Sequence, residues 1–126
     1  MSDTTQSGLT DNAAGAIAYL TFIPAIVFLV LPPYNASPYV RFHAWQSILF
    51  NLVAFVVDIV VMILLTITAF LPFGSFGIGF GISHLVWLLI EALWFILWLV
   101  CLLKAVNGER FKLPIIGAFA EQLANK

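Results

Sequence analysis

Three stretches of this chain, residues 13–31, 44–71 and 83–106, are apolar over the length of a membrane crossing. A hydrocarbon core of about 30 Å needs roughly 20 such residues in a helix. Of the 126 residues, 63% are hydrophobic and 9% are charged, against roughly 25% charged in soluble domains. So short a chain cannot enclose that much apolar surface in a core of its own. The predicted fold is an all-α integral membrane protein, a single membrane domain with three transmembrane helices and a C-terminal amphipathic surface helix.

Helix signals refine these boundaries. Thr10, Asp11 or Asn12 can cap the first span. Pro24 lies inside it and should kink it. Ala14, Ala18, Thr21 and Ala25 recur at helical spacing and give it a small face suited to close helix contact. Residues 32–43 are rich in breakers and aromatics and read as an interfacial connector. The stretch 73–81 alternates glycine with larger residues and reads as a loop at the opposite interface; no Lys-Ser/Thr follows, so it is not a phosphate loop. Asn107-Gly108 can end the third span. Residues 114–125 are too short to cross, but Ile115, Ile116, Phe119 and Leu123 share one face, as in a helix lying in the membrane surface.

Charge constrains both partners and orientation. A net charge of −1 offers no basic field for nucleic acid. The segment before the first span has no positive residue, so no cleavable signal is expected. With three crossings, the first connector and the C-terminus share a side. Arg41, Lys104, Arg110, Lys112 and Lys126, all the Lys and Arg of the chain, then lie on that side. Positive residues stay in the cytoplasm, which places the C-terminus inside and the N-terminus outside.

Two carboxyl groups fall within the spans, where each costs about 2.5–3.5 kcal/mol near mid-helix. Asp58 follows Ser47, Asn51 and Ala54 on a small, polar stripe. Glu91 lies on a stripe with His84, Trp87, Trp94, Trp98, Cys101 and Ala105. In antiparallel neighbours the two carboxyls fall at similar depth. Asp58, Glu91 and Asn51 are therefore a candidate intramembrane polar site, lining a path or fixing helix packing. His43 and His84 lie at opposite ends of the spans, so one chain cannot bring both to one haem iron; a single histidine can hold a haem or pigment metal, though a histidine at a helix end more often bonds water or backbone. No hydrolase, zinc-protease or Cys-x-x-Cys motif occurs. Cys101 is alone, which excludes an intrachain disulfide and a cysteine-rich metal site.

Residues 11–26, 37–47 (with Val40-Arg41-Phe42-His43-Ala44 followed by Gln46) and 104–114 resemble the start, a specific block and the usual ending of a widespread family of small bacterial membrane proteins whose function is largely unassigned. That family is regarded as similar to a translocon component of the chloroplast inner envelope, and one branch comprises magnetosome-membrane proteins that affect magnetite crystal growth. The resemblance spans nearly the whole chain. It implies a multi-pass protein of the bacterial inner membrane, and it makes Arg41, Phe42, His43 and Gln46 a candidate interface. Arg41 could stack on Trp45 or pair with lipid phosphate. Nothing in the residues specifically resembles the magnetosome branch: no acidic, iron-attracting loop is evident.

The expected function is that of a non-enzymatic structural or accessory subunit, without cofactor, whose partners are the lipid bilayer and either its own copies or other membrane proteins. The alternative is a translocation or transport component using Asp58 and Glu91. A pigment- or haem-associated subunit is third.

Overall fold

The computed structural model describes residues 9–71 and 77–126. They are all-helical: α1 (Asp11–Ile17), α2 (Phe22–Val30), a single 3-10 turn (Tyr34–Ala36), α3 (Pro38–Ala69), α4 (Ile78–Val106) and α5 (Ile116–Ala124). Among the described residues, α3 and α4 are the two helices long and apolar enough to cross a membrane. At 1.5 Å per residue they extend about 48 and 44 Å, well beyond a core of about 30 Å.

The first apolar run is not one span. It breaks at residues 18–21 into helices of seven and nine residues, and neither can cross. Pro24 accounts for the break. In a continuous helix its ring would strike the carbonyl of Leu20, and it has no N–H to offer that carbonyl. Thr21 instead caps a new helix, its hydroxyl accepting from the Ile23 amide at 3.3 Å. Pro24 then falls in the first turn, where a missing N–H leaves nothing unpaired. Thr10 caps α1 in the same way, accepting from Ala13.

The chain forms two compact units, Met1–Leu52 with Trp98–Lys126, and Val53–Leu97. In the first, α1 runs beside the start of α3 and in the same direction. The Ser37 hydroxyl donates to Asp11 at 2.8 Å, and farther along the Ser47 hydroxyl reaches the Thr21 carbonyl at 3.5 Å. After the turn α2 returns, and its Phe28 ring packs 4.9 Å from Tyr34, just before α3. Residues 11–30 are thus a helical hairpin that enters and leaves at one end. Asp11 lies at the same end as Ser37, not at the opposite end that a third crossing required.

Ala14, Ala18 and Ala25 of the small face are fully buried, in one cluster with Phe28, Tyr34, Val40 and Ala44. Ser37 caps α3 through the Val40 amide, with Pro38 as the first helical residue. The helix therefore starts six residues before the predicted boundary at 44, and Arg41, Phe42 and His43 stand on it rather than in a connector. The third helix likewise begins at Ile78 rather than 83. The predicted glycine-rich loop 73–81 falls outside the described residues over 72–76, and Ile78–Gly81 is helical.

The end of α4 runs antiparallel to α1 and α3. The Trp98 indole donates to the Tyr19 carbonyl, the Tyr39 phenol to Ala105 O at 2.5 Å, and the Asn12 amide to Val106 O at 3.2 Å. Gly108, at φ +81°, then turns the chain, a conformation open mainly to glycine. The tail folds back so that Ala120 and Ala124 of α5 pack on Phe42, beside Trp45 and Leu49. The face of α5 turned inward is its small one, Gly117, Ala120 and Ala124. Of the predicted apolar face, Ile115 and Phe119 remain exposed.

In the second unit the outer halves of α3 and α4 leave Phe55, Met62, Ile63, Leu85, Leu89 and Phe95 more than half exposed. An apolar surface this extensive is sustained by hydrocarbon, not by water.

Candidate functional site

The first unit holds a buried polar network built on α3. His43, Gln46 and Ser47 are completely buried, and polar groups so placed must find partners. His43 Nε2 lies 3.1 Å from Glu109 O. A carbonyl only accepts, so Nε2 carries the hydrogen and Nδ1 is left as an acceptor. The Tyr19 phenol supplies the donor, 2.6 Å from Nδ1. Its oxygen in turn accepts from Gln46 Nε2 at 2.7 Å. The second Gln46 N–H goes to Phe111 O at 2.8 Å, and Gln46 Oε1 accepts from the Leu113 amide at 3.0 Å. Every donor has an acceptor, and the network has one consistent direction, from Gln46 through Tyr19 and His43 to Glu109.

Aromatic edges seal this network. The rings of Tyr19, Tyr39 and Phe42 stand edge-on to the His43 ring at centroid distances of 5.3, 4.5 and 5.1 Å. Gly15 lets α1 approach: a Cβ there would come 2.8 Å from Tyr39 Cε1 and 3.2 Å from His43 Cδ2.

Arg41 extends the same pattern at the outer edge. Its Nε donates to Ala124 O at 2.9 Å and its Nη2 to the main-chain oxygen of Lys126 at 2.8 Å. Arg110 lies over the Phe42 ring, 5.9 Å from its centroid, a cation–π contact. Salt bridges join Lys104 to Glu109 and Lys112 to Glu121. The four residues singled out as an interface are thus brought together, but they face the same chain. Phe42, His43 and Gln46 fasten the hairpin and the tail to α3, and Arg41 holds the tail.

The second unit brings the Asp58 and Glu91 carboxyl groups close enough to interact. Two ionised carboxylates have only acceptors, so a hydrogen bond between them would need one shared proton. The second oxygen of Asp58, Oδ1, is buried with no hydrogen-bond partner. Asn51, a residue of the first unit, directs its amide to Ser47 of its own helix, at 2.8 Å to the carbonyl. His84 is exposed and bonds Phe80 O at 3.0 Å. Among the described residues no group of three or more His, Cys, Asp or Glu is placed to hold a metal ion.

Sequence reasoning missed Tyr19 and Tyr39. The signal was present: each is a phenol in or beside an apolar helix, and a buried phenol needs a hydrogen-bond partner.

Comparison with known proteins gives consistent relatives. The pattern of the magnetosome magnetite crystal formation protein family matches residues 6–120. A UPF0132 membrane protein of Methanocaldococcus jannaschii is 40% identical over 119 residues, covering 94% of this chain and 92% of its own. A UPF0132 membrane protein of Archaeoglobus fulgidus is 37% identical over 115 residues, covering 90% and 95%. Both are archaeal, whereas the resemblance drawn from the sequence was to bacterial proteins, and neither is a plastid translocon component. No solved structure matches the chain.

Proposed function

The chain belongs to the magnetosome magnetite crystal formation protein family, a family with UPF0132 membrane proteins among its relatives, and from that premise we propose that it is a non-enzymatic structural subunit that assembles with its own copies through helix contacts inside the bilayer. The observation that carries this reading is the Asp58–Glu91 pair. Both residues are only half-buried, on helices whose neighbouring side chains face outward. A carboxyl group turned to lipid at that depth costs about 2.5–3.5 kcal/mol. A second copy packed over the same face would remove Asp58 and Glu91 from hydrocarbon.

Chemical cross-linking in native membranes, followed by sizing in mild detergent, tests this. The parent is expected to run as a defined oligomer, and Asp58→Asn with Glu91→Gln as a smaller species that keeps its helicity. A parent that is monomeric in both measurements would refute the proposal.

The proposed setting is the cytoplasmic membrane, with two crossings by α3 and α4 and the hairpin dipping in from one side. All five Lys and Arg lie in the first unit, so its exposed end, with the C-terminus, is assigned to the cytoplasm. A transport or translocation role is the second reading, favoured by the closeness of two carboxyl groups within the spans. Proton flux into vesicles, lost on Asp58→Asn while the oligomer persists, would favour it over the structural role.

A further inference from the structure

We propose that the cleft between the end of α3 and the beginning of α4 binds an uncharged lipid that carries a hydroxyl group. The cleft has a volume of about 380 Å³, and among the described residues Met62, Leu65, Thr66, Ala69, Phe80 and His84 line it, with Thr68, Phe70 and Ser83. That is the small end of the range for ligand pockets, roughly 300–1,000 Å³. It holds a headgroup and the first methylenes of a chain rather than a whole lipid. Its position suits that ligand, because it lies where the apolar stretches of both helices end.

The polar groups of the cleft decide the headgroup. The Thr66 hydroxyl donates to Met62 O at 2.8 Å, and the Thr68 hydroxyl to Leu65 O at 2.9 Å. Each hydroxyl has a single hydrogen, so both oxygens are left as acceptors. His84 is fixed in the same sense. Its Nδ1–H donates to Phe80 O at 3.0 Å, and the Phe80 ring lies against it with centroids 4.0 Å apart. In the neutral ring Nε2 carries a lone pair. These acceptors, with the Ser83 hydroxyl able to donate or accept, suit a group that does both, and the group a lipid brings is an O–H.

Charge narrows the class. Residues 53–97 contain no Lys or Arg, and their only acidic residues are Asp58 and Glu91. A phosphate or carboxylate headgroup would find no Lys or Arg in this unit and would meet the lone pairs of both threonine hydroxyls. The ligand class is therefore a neutral hydroxyl lipid, such as a diacylglycerol, a polyprenol or a quinol.

Photolabelling of the intact protein in uncharged detergent tests this with three probes: a diazirine-bearing hexadecanol, its O-methyl ether and the matching hexadecyl phosphate. The alcohol is expected to label the segments 62–70 and 80–84. The ether, which lacks only the donor, should label them about fivefold less, the worth of one net hydrogen bond. The phosphate should label no better than the ether. His84→Phe should reduce labelling by the alcohol towards the level of the ether. Equal labelling by alcohol and ether, or strongest labelling by the phosphate, would overturn the proposal. So would undiminished labelling in Ala69→Phe, which fills the cleft, provided that variant elutes like the parent. The probe comparison uses the native protein and does not depend on any variant folding.

Discussion

Tyr19 and His43, one from the turn of the hairpin and one from α3, share a hydrogen bond of 2.6 Å in a site closed to solvent. The bond fixes which nitrogen of His43 carries the hydrogen, and it relays to Gln46 and, through Gln46, to the tail. Tyr19→Phe removes the one hydroxyl that serves both neighbours. His43 Nδ1 would be left buried and unpaired, at about 1–3 kcal/mol, and one Gln46 N–H would keep only the weak acceptor Cys101 Sγ at 3.9 Å. A drop in the thermal midpoint of the detergent-solubilised protein is the expected outcome; an unchanged midpoint would mean that the network is not holding the hairpin.

Gly15 makes a sharper prediction, because helix propensity and packing point in opposite directions. Alanine is the better helix former by about 1 kcal/mol. Its Cβ would nevertheless meet Tyr39 and His43 at 2.8 and 3.2 Å. Neither ring can move aside freely: Tyr39 is tied to Ala105 O and His43 to Tyr19 and Glu109. Overpacking costs typically 1–3 kcal/mol, so Gly15→Ala should destabilise. Equilibrium unfolding that finds the variant more stable would show that this contact relaxes.

Ile115 predicts a gain. Its φ of +66° with ψ of −57° is a region that a β-branched residue rarely enters. The Ile116 amide closes on Pro114 O at 2.6 Å across it, a tight γ-turn of the strained hand. The side chain is largely exposed and adds little packing. Ile115→Gly should therefore stabilise the folded protein by about 1 kcal/mol, within the usual cost of 1–3 kcal/mol for such a conformation. The same unfolding measurement decides it, and a loss of stability would mean that the exposed Ile115 contributes through the membrane surface.

The hairpin predicts the side of each terminus. In a Cys101→Ala background, Thr10→Cys and Asn125→Cys should react with an impermeant thiol reagent from the same face of oriented vesicles, and Gly77→Cys from the other. Labelling of Thr10→Cys together with Gly77→Cys would restore three crossings.

Much of the fold was legible from apolar length alone. The helical class and the two long helices follow from residues 44–71 and 83–106, and the small face of Ala14, Ala18 and Ala25 is buried as its spacing implied. The first run misled because composition counts residues without asking whether the backbone can continue. Pro24 can be read as a kink in a long helix or as the first turn of a new one. What separates these is Thr21, three residues earlier and able to cap. The inward direction of the Arg41–Gln46 block was hidden for another reason. Its acceptors include main-chain oxygens of Glu109, Phe111, Ala124 and Lys126, and a carbonyl leaves no trace in the residue letters. Asp58 and Glu91 could be matched in depth because both helices are regular and antiparallel neighbours share a level.

Those main-chain acceptors bear on how such a tail can evolve. Tyr39, Arg41, His43 and Gln46 grip a path of peptide groups, not a set of side chains. A tail of different sequence that keeps the turn at Gly108 and small residues at 117, 120 and 124 would fit the same grip. The remaining positions of 115–126 should therefore tolerate exchange without any matching change in α3.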